Sequence, residues 1–249
     1  MLRLFLVLFF AFIYSTASRS QSDNPVASSD IDNRYYAIPE ELGKEMFDSV
    51  FYDDFGYLVG RQYQPYNTFG HTSPFLDDDQ GIGTVFSNGK SYPNLTLRYD
   101  IYLDVLINIP KIVSYGNLYI TINKSAIDSF IISINSYTYK IKNLHFPEET
   151  NVGMKDGFYE TYRCGNSMFL IKHKATATKL QGYPEYKYSP VKYLFKNENY
   201  SRINSRGDLL RLYPENKKAV KRKIKSYITP YRKLRDHQII EILQFAESL

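Results

Sequence analysis

Arg61, His71, Asp100 and Asp104 are the residues whose types and spacing offer ligand chemistry. A carboxylate pair can act as acid and base, but glycosidase pairs stand no more than about 9.5 Å apart. Asp100 and Asp104 lie four residues apart on the polar face of an alternating stretch, which places them about 13 Å apart if that stretch is one strand. They therefore read as exposed groups, or as partners of Arg98 and Tyr102, available to a ligand. Arg61, His71 and the run Asp77-Asp78-Asp79 fall in a segment punctuated by Gly56, Gly60, Pro65, Gly70, Pro74 and Gly81. Long ordered loops often carry function. If the fold brings His71 to Asp100 or Asp104, this segment forms a hydrolytic site. Asp77 to Gly81 lacks the ligand alternation and distal Glu of a calcium loop, and reads as a solvated acidic turn.

Known catalytic signatures are missing. There is no Gly-x-Ser-x-Gly elbow, no His-Glu-x-x-His and no phosphate loop. The four histidines, His71, His145, His173 and His237, show no ligand-like spacing, and Cys164 is the one cysteine. No catalytic residue, metal or cofactor is expected. Cys164 reads as a buried thiol, with an interchain bridge as the alternative.

Charge is divided unevenly. Residues 171–249 carry 18 Lys and Arg against 7 Asp and Glu, a net +11, and the rest of the chain is at −6. Lys217, Lys218, Lys221, Arg222, Lys223 and Lys225 crowd one short stretch. Lys217, Lys221, Arg222 and Lys225 are the candidates for contact with an anionic surface such as phospholipid headgroups. A solvated helix face is the alternative.

The elements that must position these residues come next. Residues 1–20 combine Arg3, the apolar run Leu4 to Ile13 and the small residues Ser15, Ala17, Ser18 and Ser20, the layout of a secretory signal. That places the mature protein outside the cytoplasm, away from nucleic acid. No second long apolar run follows, so no transmembrane helix is expected in the mature chain. Residues 21–34 are small and polar and read as a flexible leader. Residues 39–50 have helical spacing. The 24 Tyr and 16 Phe suit strands with half-buried faces.

Residues 35–204 read as a β-rich domain. Asn88-Gly89 marks a tight hairpin. The clearest strand runs through Leu95, Leu97, Tyr99, Ile101, Leu103, Val105 and Ile107, alternating as a sheet with one buried face does. Leu118 to Ile122 continues the pattern. Phe130, Ile132 and Ile134 alternate, and the parity changes at Asn135-Ser136, which demands a bulge or a turn. Asp156-Gly157 marks a further turn. Cys164-Gly165-Asn166 and Asn197-Glu198-Asn199 separate further strand pairs. Residues 205–249 read as a helical tail packed on the sheet. Ser205 and Asp208 form a capping box, Pro214 opens a second helix with Val220, Ile224 and Ile228 on one face, and Asp236 caps a third. The fold class is α+β, mainly β: an antiparallel, curved sheet followed by short helices.

Gly60-Arg61-Gln62-Tyr63, Gly70-His71, the run from Gly89 to Asp104, Gly157-Phe-Tyr-Glu160 and the ending from Ser205 to Leu249 together resemble a family of uncharacterised exported proteins of Bacteroidota envelopes. The resemblance implies a periplasmic or outer-membrane-associated location and one β-rich unit ending in helices. It carries no activity and no site residues. It also implies that the triplets at Asn94, Asn123 and Asn199 are not glycosylation sites.

Three functions are compatible with these features. The first is a non-enzymatic envelope protein holding an apolar or lipid ligand on its curved sheet. The second is a structural module that binds another envelope protein. The third is a hydrolase acting on envelope glycans or peptides.

Overall fold

The computed structural model describes residues 60–64, 66, 72–112, 116–146, 150, 152–180 and 183–249. All belong to the unit spanning 51–249. The signal segment, the leader, the 39–50 helix and His71 lie outside the described residues.

Eleven strands form one antiparallel sheet. In chain order they are β1 (Arg61–Gln62), β2 (Gly81–Ser87), β3 (Lys90–Asp100), β4 (Val105–Asn108), β7 (Ile120–Thr121), β8 (Ser129–Ile134), β9 (Tyr137–Leu144), β10 (Gly157–Cys164), β11 (Ser167–Lys172), β14 (Val191–Lys196) and β15 (Asn199–Arg202). Two small ribbons stand apart from it: β5 (Lys111–Ile112) with β6 (Gly116–Asn117), and β12 (Ala175–Leu180) with β13 (Tyr183–Tyr188). The sheet order is β1-β7-β4-β3-β2-β8-β9-β10-β11-β14-β15, and the sheet does not close into a barrel. Five of the ten neighbouring pairs in the sheet are joined by connections of two to four residues, so local turn chemistry fixes half of the pairings.

Those turns follow residue type. Asn88 and Gly89, Asn135 and Ser136, and Asn197 and Glu198 all have positive φ, as two-residue hairpin loops with right-handed strand twist require. Asn135-Ser136 resolves the parity change as a turn, pairing Ile134 with Tyr137. At Gly83 a Cβ would lie 2.2 Å from the Ile131 carbonyl oxygen. Only glycine lets β2 and β8 approach this closely.

The long strand expected through Val105 and Ile107 is instead a hairpin. β3 stops at Asp100, residues 101–104 turn, and β4 returns with Tyr99 opposite Leu106. Asp100 causes the break, because its carboxylate accepts hydrogen bonds from the backbone N–H groups of Tyr102 and Leu103, both at 2.9 Å. An Asx-type turn of this kind offers the backbone an alternative to the ladder. Leu103 is left 52% exposed rather than buried.

Two apolar clusters make up most of the core. One is centred on Tyr99, Phe130 and Phe158, whose rings meet edge to face at 5.1–5.8 Å. The other joins Cys164, Phe169, Ile171 and Leu194 of the sheet to the helices α1 (Arg206–Leu212), α2 (Lys217–Ser226) and α3 (Asp236–Glu247). Ser205 caps α1 in a reciprocal box with Asp208. Arg235, not Asp236, occupies the cap position of α3. Asp236 is the first helical residue and pairs with Lys192. Ile228 lies beyond α2 and is fully exposed, unlike Val220 and Ile224. Among the described residues no helix is long and apolar enough to cross a membrane.

Candidate functional site

The turn after β3 places Asp100 inside the protein and leaves Asp104 half-buried. Asp100 is buried and accepts from the hydroxyls of Tyr63 at 2.9 Å and Tyr66 at 3.0 Å, besides its two backbone donors. Asp104 accepts from Tyr99 at 2.6 Å, from Lys124, and from the buried Lys172 at 2.7 Å. Desolvation brings the Lys172 ammonium down to about 8, against the opposing pull of Asp104. Both carboxylates are thus committed to internal donors. Arg98, one expected partner, instead lies over the Phe75 ring at 4.1 Å and donates to the Asp78 carbonyl. Arg61 is exposed on β1, at the edge of the sheet. The fold does not bring Arg61, Asp100 and Asp104 into one pocket.

A different constellation is assembled. On β10 the residues Phe158, Glu160, Tyr162 and Cys164 share a face, and on β11 Phe169 and Ile171 continue toward His173. Glu160 opposes Ile171, so Glu160 and His173 are diagonal neighbours at the junction of the two apolar clusters. Both are buried. Glu160 accepts from the Tyr162 hydroxyl and from Tyr137 at 3.4 Å, and its second oxygen lies 3.0 Å from His173 Nε2. Nδ1 of His173 lies 2.6 Å from the hydroxyl of Tyr188, which is presented by the β12–β13 ribbon. A carboxylate only accepts, so the Glu160 contact places the imidazole proton on Nε2. Nδ1 is then the acceptor for the Tyr188 O–H. Burial holds the Tyr188 phenol well above its usual range, and Asp236, Glu160 and Asp77 push it the same way.

This relay opens into a cleft of about 890 Å³. Its lip includes Asp77 and Asp78, both at positive φ, and the Tyr139 hydroxyl donates to Asp77. The far wall comes from Leu234, Arg235, Asp236 and His237. The segment expected to carry function therefore contributes residues 72–78, without Arg61. Among the described residues no group of His, Cys, Asp or Glu is arranged to hold a metal ion.

A second feature lies on the surface. Between Glu215 and Asp236 the chain holds nine Lys and Arg residues and no acid. Val220 and Ile224 anchor α2, leaving Lys217, Lys218, Lys221, Arg222 and Lys225 exposed. Lys217, Lys221 and Lys225 repeat every four residues and form one stripe. Arg232 and Lys233 are exposed on the other side of Ile228. None of these cations makes an ion pair among the described residues.

No family model matches the chain, and neither a curated protein nor a solved structure does.

Proposed function

We propose that this is an exported envelope protein that works while held at the surface of an anionic lipid leaflet. The observation that carries this reading is the fully exposed Ile228 set between exposed cations with no carboxylate among them. A basic cluster gains about 1 kcal/mol per residue near an anionic bilayer. A protruding isoleucine adds roughly 2 kcal/mol when its side chain leaves water. The pattern of positive rim and apolar tip is that of an interfacial anchor. Lipid remains the partner, gripped by its headgroups. Most of the sheet's apolar side chains are packed against one another and against the helices, with Ile82 and Tyr137 as exposed exceptions.

Flotation with vesicles tests the proposal. Phosphatidylglycerol-containing vesicles are expected to carry the protein at low salt, and purely zwitterionic vesicles are not. Replacing Lys221, Arg222 and Lys225 with Glu is expected to abolish flotation. Equal flotation of both proteins, or none of either, contradicts the proposal.

A further inference from the structure

The lipid-facing surface makes no use of Glu160, His173 or Tyr188, which meet at the cleft. We propose that Tyr188 is a base-activated nucleophile, with His173 as its base and Glu160 as the positioning residue, directed at the carbonyl of an uncharged or cationic acyl ester. This inference is independent of the membrane reading.

The geometry has the three parts that activation of a hydroxyl requires: a hydroxyl within reach of a base, and a third group that orients the base. The hydroxyl–imidazole distance is 2.6 Å and the imidazole–carboxylate distance is 3.0 Å. Glu160 cannot rotate away from its task, because Tyr162 and Tyr137 hold its other oxygen. His173 is packed between the rings of Tyr139 and Tyr188. Tyr188 is 49% exposed as a residue and lines the cleft, the side from which an incoming group would approach its buried hydroxyl.

In the step, the Tyr188 oxygen bonds to the carbonyl carbon and its proton passes to His173 Nδ1. The ester C–O bond then breaks, and the leaving alkoxide takes that proton from His173. The acyl group remains on Tyr188 as an aryl ester, an activated form ready for a second acceptor. Asp77, Asp78, Glu160 and Asp236 line the cleft against Lys192 and Arg235, and Asp236 is neutralised by Lys192, which leaves an excess of negative charge. That excess disfavours an anionic substrate.

The experiment uses a sulfonyl fluoride bearing an alkylammonium arm, 4-(2-aminoethyl)benzenesulfonyl fluoride, on the full protein. An O–S bond forms at tyrosine, the S–F bond breaks and fluoride leaves, so labelling reports nucleophilicity without a known substrate. Tyr102 is the internal control, because it is 44% exposed and lies outside the relay. Peptide mass spectrometry is expected to show Tyr188 labelled about 100-fold faster than Tyr102, the scale of general-base assistance. His173→Gln is expected to bring that ratio to about one, with added imidazole restoring it in part. Glu160→Gln is expected to lower it at least tenfold. A ratio near one in the unaltered protein overturns the proposal, whether or not the variants fold. So does a His173→Gln protein that labels at Tyr188 as fast as the parent.

Discussion

Replacing Asp100 tests why the chain turns back after β3. The carboxylate is buried and accepts four hydrogen bonds, two from backbone N–H groups and two from phenols. Asp100→Ala leaves all four donors without their acceptor. An unsatisfied buried donor costs about 1–3 kcal/mol, and water reaches some of these sites, so the expected loss is about 4 kcal/mol. Asp100→Asn keeps one oxygen for the two backbone donors but turns an amide N–H toward the phenols. Its expected cost is about 1–2 kcal/mol, mainly the loss of charge-assisted bonds. With a urea dependence of about 2 kcal/mol per molar, the midpoints fall by about 2 M for Ala and by less than 1 M for Asn. Urea titration followed by far-UV circular dichroism measures both, with unchanged slopes. An Ala variant within about 0.5 M of the parent, or an Asn variant as unstable as Ala, refutes the role assigned to Asp100.

Lys172 links stability to pH. Its folded value of about 8 lies below its unfolded value of 10.5. The unfolded chain therefore binds the extra proton between the two, and stability rises with pH across that window. A gain of about 2 kcal/mol from pH 8 to 10 is expected in urea titrations, and Lys172→Met should flatten it. Above pH 10 the buried tyrosines reverse the trend. Tyr99, for example, is held well above 10 in the fold, chiefly by desolvation, so its contribution is full below pH 10 and is lost as pH rises further. Gly157→Ala places a Cβ 2.1 Å from an Asp104 oxygen at a φ of +146°. A loss of roughly 2–3 kcal/mol in chemical denaturation is expected. Ser205→Ala removes the α1 cap, with an expected cost of about 1 kcal/mol by the same assay.

Much of the fold was legible because turn chemistry is local. Asn88-Gly89 marks a hairpin by residue type, Asn197-Glu198-Asn199 separates a strand pair, and the parity change at Asn135-Ser136 demands a bulge or a turn, of which the structure has the turn. The run from Leu95 to Ile107 misled because its alternation is nearly unbroken. The turn depends on Asp100 bonding two backbone amides, with Tyr63 and Tyr66 arriving from a distant segment to bury it. The relay was not read from the sequence, although part of its signal is there. Glu160 stands in register with Phe158 and Tyr162, and His173 with Phe169 and Ile171, so each is a polar residue where alternation expects an apolar one. Their meeting is a product of the β10–β11 register. Tyr188 comes from a ribbon whose Ala-Thr-Ala-Thr and Tyr-Pro-Glu-Tyr stretches lack the hydrophobic alternation of a core strand. The basic stretch of α2 was legible outright. The exposure of Ile228 was not, because its spacing from Val220 and Ile224 continues the helical stripe past the point where α2 ends.

Labelling at position 228 tests the membrane reading most directly. Cys164 is buried, and burial raises its thiol to about 11, so a thiol introduced as Ile228→Cys is the one that reacts at neutral pH. An environment-sensitive dye at that thiol is expected to shift to the blue when phosphatidylglycerol vesicles are added, and to return as salt is raised. The same dye on a Tyr102→Cys protein is expected to stay unchanged. A dye at position 228 that remains in water with anionic vesicles at low salt contradicts the account.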